Sequence, residues 1–411
     1  MDFLPAWPPD FNAQIAFGLL LFAGVIGGYF AHRISWMPSI TGFMAAGMLI
    51  GPSGGDLLTK EALDLVRPLI DVALGLILYR LGLTISLDTM LHDRRLLLTS
   101  LLESGATFLT SFFVLTWLGL PNLLAGLVAA IVISSSPAIL IHVAHEVGAA
   151  GPVTERTKEL VALNNLFSFF AFSALLPAGH LAMEQDLAIA LMQPVYQLLG
   201  SLLVAVLIAG ILVQIARLTR SAMQYRLAII IGALMLGVGI ANALNLSALF
   251  VPLAIGVAVR TLEKDDLISD VAFGEVFELF FIVLFVYAGA KIRLLELQEV
   301  GLIALALVGT RIAAKLLMVF GMSYAQGTPP RPAAATGMLL IPMAGLAIGL
   351  AQTADTLFAL EAAQLNAIVL AAVAILETIG PPIAAYAFRL AGEAKVGAGG
   401  TAPNNQQAGN S

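Results

Sequence analysis

Along most of the chain, apolar blocks of roughly 18–25 residues follow one another, separated by short connections that carry the charges. About twenty apolar residues span a bilayer as a helix, which closes every backbone hydrogen bond within itself; the strands of a membrane barrel instead show about ten residues of alternating polarity. These blocks do not alternate, so the expected fold is an all-α polytopic membrane protein, and a barrel is excluded. Composition agrees: 59% of residues are hydrophobic and 11% are charged, against about 25% charged in soluble domains. The absence of cysteine excludes disulfides and thiolate metal sites.

The pattern divides into about thirteen spans, near 14–32, 36–52, 66–86, 96–119, 122–147, 156–178, 195–216, 225–243, 247–262, 272–291, 299–325, 332–354 and 361–389. The start, "MDFLPAWPPDFNAQIAF", has no basic region and no small-residue cleavage site, so the first span is expected to insert directly. Residues 1–390 read as one membrane transport domain. Residues 391–411, rich in Gly, Asn and Gln, read as a disordered cytoplasmic tail. Connections holding Arg94 and Arg95, Arg156 and Lys158, and Arg217 through Arg226 fall on one face of the membrane, leaving Lys60, Arg67, Lys291 and Arg293 on the other. That bias predicts an outside N-terminus and a cytoplasmic C-terminus in a cell membrane, the bacterial inner membrane.

Two segments align without gaps: "LIDVALGLILYRLGLTISL" (69–87) and "VFELFFIVLFVYAGAKIRL" (276–294), which places Asp71 on Glu278 and Gly82 on Gly289. At nearly the same offset, "SITGFMAAGMLIG" (39–51) resembles "SALFVPLAIGVAV" (247–259). Seven spans separate the copies, an odd number, so equivalent helices cross in opposite directions. This predicts two inverted six-helix repeats, about 12–180 and 225–390, joined by a linker helix at about 195–216, an arrangement of secondary transporters.

Two spans carry helix breakers at similar depth. "AAIVISSSPAILIHV" holds Ser134, Ser135, Ser136 and Pro137; "GMLLIPMAGLAIGL" holds Pro342 and Gly345. Proline frees carbonyls of the preceding turn, and unwound backbone at mid-membrane is tolerated where it is buried or lines a cavity, offering half-helix ends to an ion. Both spans are expected to be broken and to cross.

Several charges fall inside spans: Asp71, Glu103, Glu275, Glu278 and Glu377, with Arg80, Arg311 and Lys315. An ionised group at the bilayer centre costs about 2.5–3.5 kcal/mol on insertion scales, so each needs a partner or water. Arg311 and Lys315, four residues apart, share a helix face and require acids or solvent opposite. Glu377, just before Gly380, Pro381 and Pro382, is one candidate counter-charge. Glu103 is another, since the repeat offset sets it opposite Arg311. Glu278 and Asp71 are candidates for a further proton relay. His142, His145 and Glu146 lie near a helix end and read as a solvated or capping surface.

In order and spacing, "LGLILYRLGLTISL", "ELFFIVLFVYAGAKIRL", the Ser-Pro break followed by "HVAHEVG", Lys315 and the final "ETIGPP" resemble the monovalent cation/proton antiporter superfamily, the sodium/hydrogen exchanger membrane domain, over about residues 12–390. The resemblance implies a panel domain and a core domain, two broken helices crossing in the core, core movement against the panel, and a homodimer. It also makes "LVALNNLFSFFAF" atypical. Asn164 and Asn165 stand where the family usually carries Asp-Asp or Asn-Asp, the second residue being the carboxylate that binds cation and proton in turn. An asparagine can ligate a cation through oxygen but cannot carry a proton at physiological pH. The aspartate that pairs with the core lysine in electrogenic members, matched here by Lys315, is missing as well.

Two consequences compete. Either the acid has moved, with Glu377, Glu103 or Glu278 supplying the titrating group, and Na⁺ or K⁺ is exchanged for protons. Or Lys315 and Arg311 are uncompensated, and the protein is an anion transporter or a uniport-like pathway. The expected transport site comprises Asn164, Asn165, Lys315, Arg311, Glu377, Glu103, Ser135, Ser136, Pro137 and Pro342. The expected partners are the transported ion, the proton, the lipid bilayer and a second copy of the chain. No enzyme motif is present, and neither a cofactor, a resident metal nor nucleic acid is expected.

Overall fold

The computed structural model describes residues 12–34, 37–84, 93–182, 187–219, 225–263, 268, 274–291, 294–343, 345–357 and 362–394. Within these ranges the side chains of 84, 176–182, 187–191, 193–194, 274–277, 294–299, 345, 352–353, 355–357 and 362–363 are not described. Among the described residues every regular element is helical. The helices are α1 (Ala13–His32), α2 (Ser39–Ile50), α3 (Lys60–Thr84), α4 (Arg94–Trp117), α5 (Asn122–Ile131), α6 (Pro137–Glu146), α7 (Pro152–Ala182), α8 (Leu187–Leu218), α9 (Arg226–Ala243), α10 (Phe250–Leu262), α11 (Gly274–Ala290), α12 (Leu294–Ala325), α13 (Pro330–Leu339), α14 (Gly345–Leu357) and α15 (Ala362–Ala391). Six of them are long and apolar enough to cross a membrane by length and composition, among them α1, α4, α9 and most of α8, α12 and α15.

The expected spans reappear as helices, with two divided. The span at 122–147 is α5 and α6; the span at 332–354 is α13 and α14. Polar side chains fix several helix starts. Asn12 Oδ1 accepts from Ile15 N at 2.8 Å to begin α1, and Asp93 Oδ1 accepts from Arg95 N and Leu96 N at 2.9 and 3.0 Å to begin α4.

Packing separates the helices into two sets. In one, α1, α2, α3, α9, α10 and α11 pack on one another, with α8 against α9 and α10; in the other, α4 to α7 pack with α12 to α15. The sets meet mainly where α8 touches α7, α2 touches α15, and α3 touches α6 and α7. Glycines set the closest approaches in the first set. A Cβ on Gly47 would overlap the Val286 carbonyl and one on Gly289 the Met44 carbonyl; likewise Gly256 meets the Tyr79 carbonyl and Gly82 that of Leu253. The crossing of α2 with α11 is therefore built like that of α10 with α3. Gly82 with Gly289 and Tyr79 with Val286 keep the gapless offset read from the sequence. With no hydrophobic drive between helices in lipid, such backbone contact is what holds them.

The residues just past α15 pack back on α7. Helix α15 ends at Ala391, Gly392 adopts φ +75°, and Glu393 still folds back: its Oε1 accepts from Val153 N at 2.7 Å and its Oε2 from Thr154 N at 2.8 Å, capping α7. Residues 395–411 lie outside the described residues.

The glycine crossings give a direct test. Gly82→Leu or Gly289→Leu has only backbone to displace and should cost at least about 1–3 kcal/mol, seen as loss of monodisperse protein or a lower melting temperature in detergent. Gly105→Ala, which meets nothing within 4 Å, should be neutral.

Candidate functional site

The run Ser134–Ser135–Ser136–Pro137 breaks a helix because serines favour local hydrogen bonds and proline suits a first helical turn but not an interior. Ser134 Oγ donates to the Ile131 carbonyl at 2.8 Å, Ser136 Oγ caps α6 by accepting from Ile139 N at 3.2 Å, and Pro137 opens α6. The second break, after Leu339, crosses the first. Ser136 N donates to the Pro342 carbonyl at 2.8 Å and Ser135 Oγ to the Leu340 carbonyl at 2.9 Å.

Arg311, fully buried on α12, reaches both breaks. Its Nε donates to Val132 O at 2.8 Å, one Nη donates to Ser134 O and Leu340 O at 2.7 and 3.2 Å, and the other Nη donates to Ile341 O. A helix C-terminus carries about half a negative charge, so one guanidinium between the ends of α5 and α13 offsets about a whole one. This corrects the expectation that Arg311 needs an acid opposite: the freed carbonyls are its partners, and it clamps the crossing.

One turn on, Lys315 Nζ lies 2.6 Å from Glu103 Oε1 and donates to the Ile133 carbonyl at 2.9 Å; both side chains are fully buried. Glu103 therefore pairs with Lys315, not with Arg311 as the repeat offset suggested. Thr107 Oγ1 donates to Glu103 Oε1 at 3.1 Å, and Ser104 lies beside Oε2. From there the network continues into the amide pair. Asn164 Oδ1 accepts from Ser100 Oγ at 3.1 Å and Ser104 Oγ at 3.3 Å, and its Nδ2 donates to Ser135 Oγ at 3.4 Å.

Asn165 Oδ1 accepts from Ser135 N at 3.1 Å, at the break leading into α6. Because Ser135 N can only donate, the amide oxygen is fixed on it. Asn165 Nδ2 is buried and has no hydrogen-bond partner among the described residues. Below it on α7, Ser168 Oγ donates to the Ala130 carbonyl at 2.8 Å. The two asparagines thus occupy a buried polar seam between α4, the first break and α7.

Other expected residues lie elsewhere. Glu377 is buried on α15 but makes no ion pair with Arg311 or Lys315, so it is not their counter-charge. Glu278 is exposed on α11 and sits electrostatically beside Glu146, and Asp71 is half-buried on α3 in a shallow groove with Pro68, Gly75 and Asn242. Neither shares a described hydrogen bond or ion pair with the crossing. The side chain of Glu275 lies outside the description. Of the His142 group, His145 and Glu146 are exposed and Glu146 caps α2, as expected of a solvated or capping surface; only His142 departs from it. His142 is buried, stacked on Phe281 at 4.3 Å, with Nε2 3.2 Å from Ser39 Oγ, while Glu146 accepts from Ser39 N at 3.1 Å. It joins α6 to α2 and α11 across the two helix sets. Among the described residues no His, Cys, Asp or Glu cluster could hold a metal ion.

The hydroxyls of α4 were the missed feature. Thr99, Ser100, Glu103, Ser104, Thr107 and Ser111 recur at helical spacing and are all buried. That period was visible in "LLTSLLESGATFLTSFF" as a polar stripe on an apolar span. Of these, Ser104 and Thr107 bring hydroxyl oxygens beside the Glu103 carboxylate and the Asn164 amide oxygen.

Crossed half-helices around a buried ion pair and a hydroxyl-rich seam define a membrane transporter fold. The family model for "Sodium/hydrogen exchanger, transmembrane" matches residues 18–388, and the chain belongs to that family. Among solved structures it is similar to the sodium proton antiporter MjNhaP1 of Methanocaldococcus jannaschii at pH 8, with 20% identity and a TM-score of 0.67, covering 93% of this chain and 98% of that one. An electron-microscopy structure of the same antiporter gives 19% identity, a TM-score of 0.67, and coverage of 92% and 98%. No curated protein sequence matches significantly.

If Arg311 is the clamp, its loss should first unfold the crossing. Each charged hydrogen bond contributes about 1.5–3 kcal/mol, and lysine cannot reproduce the fork. Arg311→Ala and Arg311→Lys should both lower the melting temperature in detergent, the former more. A wild-type melting temperature with abolished transport would instead assign Arg311 to the ion path.

Proposed function

We propose that the protein exchanges a monovalent cation, Na⁺ or K⁺, for protons by alternating access, with the Glu103–Lys315 pair as the coupling element. It works as a homodimer in the cell membrane, N-terminus outside and C-terminus cytoplasmic. The observation that carries the reading is the buried 2.6 Å contact between Lys315 Nζ and Glu103 Oε1. Two opposite charges buried together are tolerable; removing either partner costs about 3–5 kcal/mol. A cation entering the seam can take the ammonium's place against Glu103, with Thr107, Ser104 and Asn164 offering further oxygens. Lys315 then gives its proton to water, and with the cation bound the net charge of the site is unchanged. Asn165 has no titrating part in this exchange and keeps the break to α6 capped.

Several features support the reading besides family membership. The two helix sets meet along few helices, and the paired glycine crossings support a repeat whose two halves can exchange roles between outward and inward access. The anion alternative required uncompensated Lys315 and Arg311, whereas Glu103 and four backbone carbonyls compensate them.

In proteoliposomes carrying a pH gradient and an interior pH dye, Na⁺ or K⁺ should dissipate the gradient. Glu103→Gln and Lys315→Ala should each strongly reduce this, while Glu103→Asp keeps more of it. Full cation-driven exchange in both neutral variants would remove the pair from the mechanism. Flux driven by an anion gradient, indifferent to Na⁺ and K⁺, would favour the anion pathway.

A further inference from the structure

Among the described residues two carboxyl side chains are buried, Glu103 and Glu377. Glu103 has a lysine and a threonine. Glu377, 3% exposed, has no hydrogen bond or ion pair with any described residue, and the mechanism above leaves it unused. A carboxylate buried in that way is unstable as a bare charge; it holds a proton, or a cation comes to it.

Its place in the fold is specific. Gly380, one turn after Glu377, packs on Pro342 of the second break, with a Cβ there 3.0 Å from that of Pro342. On α7, Ser168 stands one turn after Asn165 and bonds to the carbonyls of Ala130 and Ile131 ahead of the first break. Glu377 thus lies one turn from the residue that packs on the second break, as Asn165 lies one turn from the serine beside the first.

The local backbone also offers oxygen. Pro381 and Pro382 lie inside α15, and proline has no N–H, so the carbonyls of Glu377 and Thr378 lose their donors four residues on. Thr378 Oγ1 turns the other way, to the Ala374 carbonyl at 2.7 Å. Helix α15 packs against α2, α5, α6, α12, α13 and α14. The charged or titratable residues on those helices are Glu296 and Glu299 on α12, whose side chains are not described, with Arg311 and Lys315, both partnered, and exposed Tyr324; His142, exposed His145 and Glu146 on α6, of which His142 and Glu146 bond to Ser39; exposed Arg331 on α13; and Asp355 on α14, whose side chain is not described.

We propose that Glu377 is a second exchange group of this transporter, binding a proton or a monovalent cation in turn at the second break. The step is balanced: the carboxylic acid O–H breaks, the proton passes to water, and Na⁺ or K⁺ replaces it on the carboxylate. The proposal rests on the cation/proton reading but not on the Glu103–Lys315 pair.

Purified full-length protein in lipid nanodiscs tests it by two readouts: protons released to a pH dye on addition of NaCl or KCl, and the infrared band of a protonated carboxyl. Wild type should release about two protons per chain, and Glu377→Gln and Glu103→Gln about one each. The cation-sensitive carboxyl band should vanish in Glu377→Gln, persist in Glu103→Gln, and return shifted in Glu377→Asp, which also controls for folding. A band and a proton count unchanged in Glu377→Gln would overturn the proposal. If Glu103-dependent release were intact in that case, the Glu103–Lys315 reading would stand. Release lost in Glu377→Gln but untouched in Glu103→Gln and Lys315→Ala would uphold Glu377 and discard the pair.

Discussion

The crossing of two interrupted helices depends on one guanidinium. Breaking a helix inside a bilayer exposes carbonyls that hydrocarbon cannot satisfy, at several kcal/mol each. Arg311 takes four of them, from Val132, Ser134, Leu340 and Ile341, and so joins two segments far apart in sequence. Serine hydroxyls and the Ser136 to Pro342 backbone bond complete the joint. Once it is closed, Ile133 O and the α4 stripe are positioned to receive Lys315, and the polar seam follows.

This arrangement explains the adjacent asparagines. Each has a different neighbour: Asn164 ties the α4 hydroxyls to Ser135 Oγ, and Asn165 takes the Ser135 amide. Amides can accept and donate at once, so they connect α4, the break and α7 without adding charge to a region already holding a buried ion pair. With neutral groups there, the negative charge that offsets Lys315 comes from another helix. Glu103 supplies it from α4, and the pair is buried without an excess of either sign.

Much of the fold was legible because lipid imposes simple rules. Span length, the two Ser/Pro and Pro/Gly breaks, and the gapless match of 69–87 with 276–294 needed only periodicity and counting, and the glycine crossings reproduce that match in backbone contacts. Pairing of charges was less legible. Sequence spacing put Arg311 and Lys315 on one face but could not tell that one would meet carbonyls and the other an acid. The repeat offset set Glu103 opposite Arg311, one turn from its partner, because symmetry between diverged halves fixes a helix and not a rotamer. Glu278 was a candidate for its place in an apolar run, but it lies on the surface of α11 beside Glu146, with no described bond to the crossing. The α4 stripe was overlooked because single serines and threonines in an apolar span carry little weight until their spacing is considered together.

The central claim is that a cation and the Lys315 ammonium compete for Glu103. Crystals grown in rubidium or thallium(I), whose anomalous scattering locates monovalent cations, test it most directly. The account predicts a peak within ligand distance of the Glu103 carboxylate and the Thr107 hydroxyl, with Lys315 Nζ displaced from its 2.6 Å contact. Saturating cation with that contact intact and no peak beside Glu103 would contradict it.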